Sequence, residues 1–255
     1  MPDVVINDPA SSAAILVRGL CRYFGSRAAV HDINLELRRG EVLGFLGPNG
    51  AGKTTIMRML TGTLAPSAGR IEICGIDLVD KPRDAKARMG YLPEVPPLYR
   101  ELTVNEYLRL AARLHRVEKA EIRSAVVRAV ERCGLGTTGK RLIGSLSKGY
   151  QQRVGIAQAI IHDPDVIILD EPTAGLDPNQ IRDVRALIRE LGAERSVIIS
   201  THILPEVESM CDRVQIVNAG RTVFDDTLGG LRQKGISLEE VFMRSTMNFQ
   251  RLESS

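Results

Sequence analysis

The hydrophobic and polar positions of this chain follow two different periods. Residues 15–18 and 33–37 alternate or are rich in β-branched and aliphatic side chains, which predicts two strands with one exposed face. Residues 42–46, 166–169 and 197–200 are almost continuously apolar, as in parallel strands that are buried on both faces. We therefore expect an α/β fold around a buried, largely parallel sheet.

Helical spacing dominates from about residue 95 to residue 160. Thr103 and Glu106 occupy the positions of a capping box, and apolar residues then recur every three to four positions over 104–114. A second helical pattern covers residues 122–133. This stretch predicts a mainly helical segment that is inserted between strands.

The last third of the chain alternates helix and strand again. Residues 180–191 have an amphipathic helical pattern, and residues 212–224 resemble a hairpin that turns at Asn218-Ala219-Gly220. Residues 237–244 predict a short final helix, and residues 71–74 an earlier short strand. The length of 255 residues allows one large or two small packed units.

A glycine-rich loop follows the apolar run 42–46 and precedes a predicted helix over residues 52–60. Small residues in such a loop allow successive backbone N–H groups to surround a phosphate, and the helix N-terminus favours the same anion. A plain strand-to-helix connection is the alternative, but the order strand, loop and helix favours phosphate binding. The residues concerned are Gly47, Pro48, Asn49, Gly50, Ala51, Gly52, Lys53, Thr54 and Thr55.

Polar side chains follow two of the buried strands. Asp170 and Glu171 end one strand, and His202 comes just after another. Asp170 and Thr54 are candidate oxygen ligands for Mg²⁺, Lys53 for contact with the outer phosphates, and Glu171 for polarising a water molecule. Taken alone, the acidic pair fits a solvated or capping role, and the histidine fits a surface or core position.

Ser147, Lys148 and Gly149 open another predicted helix. Its N-terminus is a second potential oxyanion site. Because one nucleotide already fills the loop at Lys53, this site implies a second ATP or an ATP that belongs to another molecule. Ser147 taken alone fits an ordinary N-cap equally well.

The composition is that of an ordinary globular protein, with 255 residues, 44% hydrophobic and 25% charged. The 34 basic and 31 acidic residues leave a net charge of +3, which is too balanced to suggest a nucleic-acid partner. No run of about 18 apolar residues predicts a membrane span, and the N-terminus lacks a signal-peptide pattern. We therefore expect a cytoplasmic location. The four cysteines are far apart in the sequence and suggest neither a disulfide nor a cysteine-bound metal, and four histidines are too few to suggest a histidine-bound metal.

Together these motifs make the chain similar to the nucleotide-binding subunits of ABC (ATP-binding cassette) transporters. The loop 47–55 resembles the Walker A motif, Asp170-Glu171 the end of Walker B, and residues 146–151 the signature motif. Residues 174–177 resemble the D-loop, and His202 the switch histidine. The resemblance implies that Asp177 contributes to ATP binding, and that Phe24 stacks on adenine unless it is a core residue.

Two positions depart from the family pattern. Glu94 stands where the family usually has glutamine, so a carboxylate would face Mg²⁺ or water. Lys148 and Tyr150 replace a glycine and a glutamine of the signature, whereas Ser147 and Gly149 are retained. Residues 91–94, the Ser-Lys-Gly segment and residues 237–242 resemble the exporter branch that works with ABC-2-type membrane proteins.

The resemblance implies a P-loop NTPase fold of ABC type, with a mixed or parallel β core, an N-terminal antiparallel β subdomain and an inserted helical subdomain near 95–160. This domain would cover residues 13–245, with flexible ends at 1–12 and 246–255. It also implies ATP and Mg²⁺ as cofactors, an integral-membrane permease subunit, and a second ATP-binding subunit in a head-to-tail pair. The protein would then lie peripherally on the cytoplasmic face of the membrane.

Three other functions are open from the sequence. A GTPase switch would also use a phosphate-binding loop, although the chain lacks an N-K-x-D motif for guanine. An ABC-type ATPase acting on DNA or ribosomes usually carries two cassettes or a long coiled coil, and neither is found here. A regulatory subunit that binds ATP at the membrane without driving transport would have the same motifs.

Overall fold

The computed structural model describes the backbone of residues 13–252 and the side chains of residues 13–246. The strands are β1 Ala13–Phe24, β2 Arg27–Arg38, β3 Val42–Leu46, β4 Ala68–Ile73, β5 Ile76–Asp77, β6 Met89–Leu92, β7 Val166–Asp170, β8 Ser196–Thr201, β9 Arg213–Asn218 and β10 Arg221–Thr227. The helices are α1 Lys53–Leu60, α2 Pro82–Ala87, α3 Val104–Leu114, α4 Ile122–Arg132, α5 Lys148–Ile160, α6 Pro178–Gly192, α7 Leu204–Met210, α8 Leu228–Gln233 and α9 Leu238–Leu252.

The strands form two sheets. The smaller sheet is antiparallel, with the order β2-β1-β4-β5. The larger sheet has the order β10-β9-β3-β8-β7-β6 and is parallel except between β9 and β10. Every residue of β3 and β7 is buried, as expected for strands that are covered on both faces. The predicted α/β architecture, with its antiparallel N-terminal sheet, is confirmed.

The parallel register brings the candidate chemistry to one edge of the larger sheet. Asp170 pairs with Ser200 across β7 and β8, and Leu46 pairs with Thr201 across β3 and β8. The segments that leave these three strands at their carboxyl ends therefore start side by side. In open α/β sheets this edge is where ligands bind.

Helices α3, α4 and α5 lie where the apolar spacing predicted helices. The capping box of α3 is formed: Thr103 accepts a hydrogen bond from the Glu106 amide, and the Glu106 carboxylate accepts one from the Thr103 amide at 2.9 Å. Val104, Leu108 and Val154 share one hydrophobic cluster with residues of β7 and β8. The helices are thus packed onto the same core as the sheet. Among the described helices, none is both long enough and apolar enough to cross a bilayer.

Several boundaries differ from the expected ones. Strands β1 and β2 each have 12 residues, because register shifts within the pair interrupt the alternation that a sequence pattern can detect. Helices α7 and α8 are too short to show a helical period and were not predicted. Helix α9 continues to Leu252, beyond the expected end at residue 244. The expected flexible segment 1–12 and the last three residues lie outside the described part of the chain.

We expect Gly90→Ala to destabilise the fold. A Cβ atom on Gly90 would lie 2.0 Å from the carbonyl oxygen of Ala159, so β6 and α5 would have to separate. Overpacking of this kind costs about 1–3 kcal/mol. Urea unfolding measures the change, and Gly136→Ala is the matched control because a Cβ there meets open space. Equal stability of the two variants would contradict this packing.

Candidate functional site

The glycine-rich loop connects β3 to α1 and presents backbone N–H groups. Gly52 precedes the helix with φ +99°, and no side chain caps the helix start. The first amide of this turn that bonds within the helix is that of Ile56, to the Gly52 carbonyl at 3.0 Å. The amides of residues 53–55 therefore resemble the donors that bind phosphate at helix N-termini. The loop is anchored by the Gly220 amide, which donates to the Ala51 carbonyl at 2.9 Å.

Lys53 lies inside this loop, with only 6% of its surface exposed. Its Nζ donates to the carbonyl oxygens of Gly47 at 2.7 Å and Pro48 at 3.2 Å. It is also 3.6 Å from Oε1 of Glu171. The ammonium group is therefore held at the base of the loop, where it can interact with an anion.

Asp170 is a buried carboxylate with one unused oxygen. Oδ1 accepts a hydrogen bond from the Ser200 hydroxyl, and Oδ2 is buried without a hydrogen-bond partner among the described residues. Burial raises the pKa of Asp170, the charges of Glu171 and Glu94 raise it further, and the hydroxyls of Ser200 and Thr54 oppose the rise. A buried carboxylate oxygen that accepts no hydrogen bond is suited to binding a cation.

This donor set fits Mg²⁺, which takes hard oxygen ligands and is usually bound by one or two carboxylates together with phosphates. The Asp170 carboxylate and the Thr54 hydroxyl are neighbours, and Glu94 is close enough for its charge to affect Asp170. Among the described residues, no three acidic, histidine or cysteine side chains form a preformed metal cage. The arrangement therefore fits a cation that is held jointly with a ligand.

Glu171 and His202 face each other across the ends of β7 and β8. His202 Nδ1 lies 3.0 Å from both carboxylate oxygens of Glu171. Glu171 has φ +47°, which is uncommon for a residue with a side chain, and its amide donates to the Ser200 carbonyl at 3.0 Å. The carboxylate is thus held between an imidazole and the Lys53 ammonium.

A cavity of about 1040 Å³ contains most of the predicted site. It is lined by the loop residues from Pro48 to Thr55, and by Phe24, Glu94, Glu171 and His202. The cavity is also lined by Ala174 of the predicted D-loop, and by residues for which the sequence predicted no role in the site, namely Arg27, Ala28, Ala29, His31, Asn218, Ala219 and Gly220. Residues 218–220 were predicted to form a turn but not to line the site, because a local sequence pattern does not indicate which loop a turn will contact.

Phe24 lies on the wall of this cavity, at the end of β1. It is 49% exposed, so the alternative that it is a core residue is wrong. The Arg22 guanidinium lies over its ring, 4.7 Å from the centroid. A cation on one face of an aromatic ring stabilises the ring's position. The geometry is consistent with the predicted stacking role, which stays a prediction.

Of the signature residues 146–151 and the D-loop residues 174–177, Ala174 alone lines this cavity. Ser147 caps α5 and Asp177 caps α6, the latter accepting hydrogen bonds from the amides of residues 179 and 180 at 3.0 Å. Gly149 packs closely against Gln180. Ser147, Lys148, Gly149 and Asp177 are not among the cavity-lining residues. A role for them in ATP binding stays a prediction, and it requires a second molecule.

Residues 30–174 match the family model described as ABC transporter. The chain belongs to the ABC transporter family. It is 39% identical over 225 residues to the bacitracin transport ATP-binding protein BcrA of Bacillus licheniformis, covering 88% of this chain and 72% of that protein. It is 36% identical over 214 residues to the Nod factor export ATP-binding protein I of Rhizobium leguminosarum bv. viciae, covering 84% and 69%.

A solved structure, described as the ATP binding subunit of an ABC transporter, superposes with a TM-score of 0.82 at 32% identity, covering 91% of this chain and 99% of that one. The predicted family and fold are therefore confirmed. This ABC transporter chain is an ATP-binding subunit, and the alternative of a GTPase switch is wrong.

We expect Asp170→Asn to stabilise the ligand-free protein at neutral pH. Because the pKa of Asp170 is raised in the folded state, its ionised form opposes folding above that pKa, and the penalty disappears as the pH falls towards the unfolded value. Thermal unfolding from acidic to neutral pH measures the effect. The difference between variant and wild type should grow with pH. The exposed Asp80→Asn serves as control, and a variant less stable at neutral pH would contradict the assignment.

Proposed function

We propose that this chain binds and hydrolyses ATP with Mg²⁺ and so powers a membrane exporter. The observation that carries the proposal is the convergence of Lys53, Asp170, Glu171 and His202 at one sheet edge beside the glycine-rich loop. A cation, a cation-binding carboxylate and a candidate base are the groups that phosphoryl transfer to water requires.

Each residue has a role that follows from its surroundings. The backbone amides of the loop and the Lys53 ammonium bind the phosphates. Asp170, Thr54 and Glu94 would hold Mg²⁺, which when bound neutralises phosphate charge. Glu171 accepts a proton from the attacking water. His202 orients the Glu171 carboxylate through its 3.0 Å contacts, and Phe24 stacks on the base.

Pairing of two such chains would complete the site. The cavity of the same chain is not lined by Ser147, Lys148, Gly149 or Asp177. The N-terminus of α5 carries the positive end of the helix dipole, together with Lys148. We propose that these residues bind the ATP of a second ATP-binding subunit, in a head-to-tail homodimer or heterodimer. ATP then joins the two subunits, and hydrolysis separates them.

The membrane part of the transporter would be supplied by another subunit. Two large apolar side chains of the loop after β6, Val95 at 79% and Tyr99 at 51%, are exposed and suit docking of a permease subunit. The relatives named for bacitracin transport and Nod factor export, together with the Tyr-Leu-Pro-Glu and Ser-Lys-Gly segments, support an ABC-2-type exporter. The protein would lie peripherally on the cytoplasmic face of the membrane, with no nucleic-acid partner.

Glu171→Gln tests the catalytic role. Because an amide cannot accept the proton, ATP turnover should fall by about 10²–10⁴-fold, while ATP affinity is kept. The unhydrolysed nucleotide should then trap a dimer, which light scattering coupled to gel filtration detects in the presence of ATP and Mg²⁺. Lys53→Ala is the control and should bind ATP weakly and stay monomeric. Turnover near the wild-type rate would exclude Glu171 as the base.

Ser147→Arg tests the pairing. The bulky cation should block the second subunit from reaching the nucleotide, so dimer formation and ATPase activity should be lost, whereas calorimetry should show ATP bound to the Lys53 site with unchanged affinity. Ser124→Arg, on the exposed surface of α4, is the matched control and should behave as wild type. Full ATPase activity of Ser147→Arg would rule out the proposed role of this helix.

A further inference from the structure

A buried carboxylate behind the catalytic edge has no part in the roles described so far. Glu206 lies in the first turn of α7, and its side chain is fully buried. Its Oε1 accepts a hydrogen bond from the Thr173 hydroxyl, and its Oε2 accepts one from the Thr201 hydroxyl at 2.7 Å. The Arg185 guanidinium of α6 is 3.6 Å from Oε1. Glu206 does not line the nucleotide cavity.

The two threonines lie next to the catalytic pair. Thr173 comes two residues after Glu171, and Thr201 immediately precedes His202. Both hydroxyls are themselves buried. One carboxylate therefore links the two chain segments that bring Glu171 and His202 into contact.

The backbone of Glu171 needs such a link. Its φ of +47° is a conformation that persists only where the surrounding structure fixes it. The amide of Ala174 donates to the Glu171 carbonyl at 3.1 Å, and the amide of Leu176 donates to the Thr173 carbonyl at 3.2 Å. These bonds close the turn, and the Thr173 hydroxyl attaches it to Glu206.

Stability alone does not account for a charge at this position. Removing a carboxylate from water costs free energy, and attraction to a single charged partner rarely offsets that cost. Well-packed apolar side chains often give a core the same stability. The Arg185 Nε is itself buried without a hydrogen-bond partner among the described residues. A carboxylate that accepts hydrogen bonds from the hydroxyls of two different loops has another effect: it fixes the distance between those loops.

We propose that Glu206 is a positioning residue that holds Glu171 in its left-handed conformation and in contact with His202. For catalysis this inference rests on the proposed hydrolysis by Glu171. The geometric part concerns the ligand-free protein alone and can be tested without nucleotide.

Amide hydrogen exchange of the ligand-free protein tests the geometry. Glu206→Gln removes the negative charge of the side chain that accepts hydrogen bonds from both threonine hydroxyls. Thr173→Val removes one of these hydroxyls and keeps the carboxylate. Both variants should accelerate exchange at Glu171, Ala174 and Leu176 by about tenfold or more, as expected when a hydrogen bond to a charged group is lost. Amides of β9, across the sheet, should change by less than about twofold. Glu208→Gln makes the same chemical change on the exposed side of α7 and should leave all of these rates unaltered.

ATPase kinetics test the consequence. Because a displacement of about 1 Å can cost 10²-fold in rate, Glu206→Gln should lower kcat by about 10–100-fold and leave ATP affinity within about threefold of wild type. In a Glu171→Gln background the same substitution should cause no further loss, since its effect passes through Glu171.

Two results would overturn the inference. The first is hydrogen exchange that accelerates equally at all core amides, since this indicates a merely structural residue. The second is an unchanged kcat in a variant in which the amides of the turn exchange faster. Thr173→Val keeps the test decisive if Glu206→Gln folds poorly. If the wild-type protein does not hydrolyse ATP at all, the proposed function fails, whereas the exchange pattern still decides whether Glu206 holds the turn.

Discussion

The Lys53 ammonium is the charge on which the candidate active edge depends. The parallel pairing of β6 with β7 brings Glu94 near Asp170 and Glu171. Burial raises the pKa of Asp170, and repulsion from the other two carboxylates raises it further. Lys53 lies 3.6 Å from Glu171 and is fixed by two loop carbonyls. This ammonium therefore places a positive charge beside the carboxylates that gather at this edge.

The sequence predicts the elements of this fold better than it predicts their contacts. Strand β3 and the start of α3 were predicted at their observed positions, since an apolar run and a capping box are local signals. The length of β1 and β2 was missed because bulges interrupt the pattern. The role inferred for Glu206 has no local signal either, because its burial depends on how α7 packs against strands that are distant in sequence.

The residues of the candidate site also differ in whether a local sequence pattern predicts them. The loop residues around Lys53 could be recognised because a phosphate-binding turn requires small residues at fixed spacing. The walls formed by Arg27, His31 and the turn 218–220 could not be, since each contributes through its place in a sheet. Ser147 and Asp177 were recognised by family pattern, and the observed geometry gives them capping contacts within their own chain.

The cavity of the candidate site is built from both sheets. Phe24, Arg27 and His31 belong to the antiparallel sheet, whereas the glycine-rich loop extends from the larger one. The two meet where the His31 amide donates to the Gly220 carbonyl at 2.8 Å. If the proposed ATP site is right, the wall near the base and the loop that binds the phosphates belong to different sheets. A substitution in the antiparallel sheet could then change base preference without altering the phosphate-binding loop.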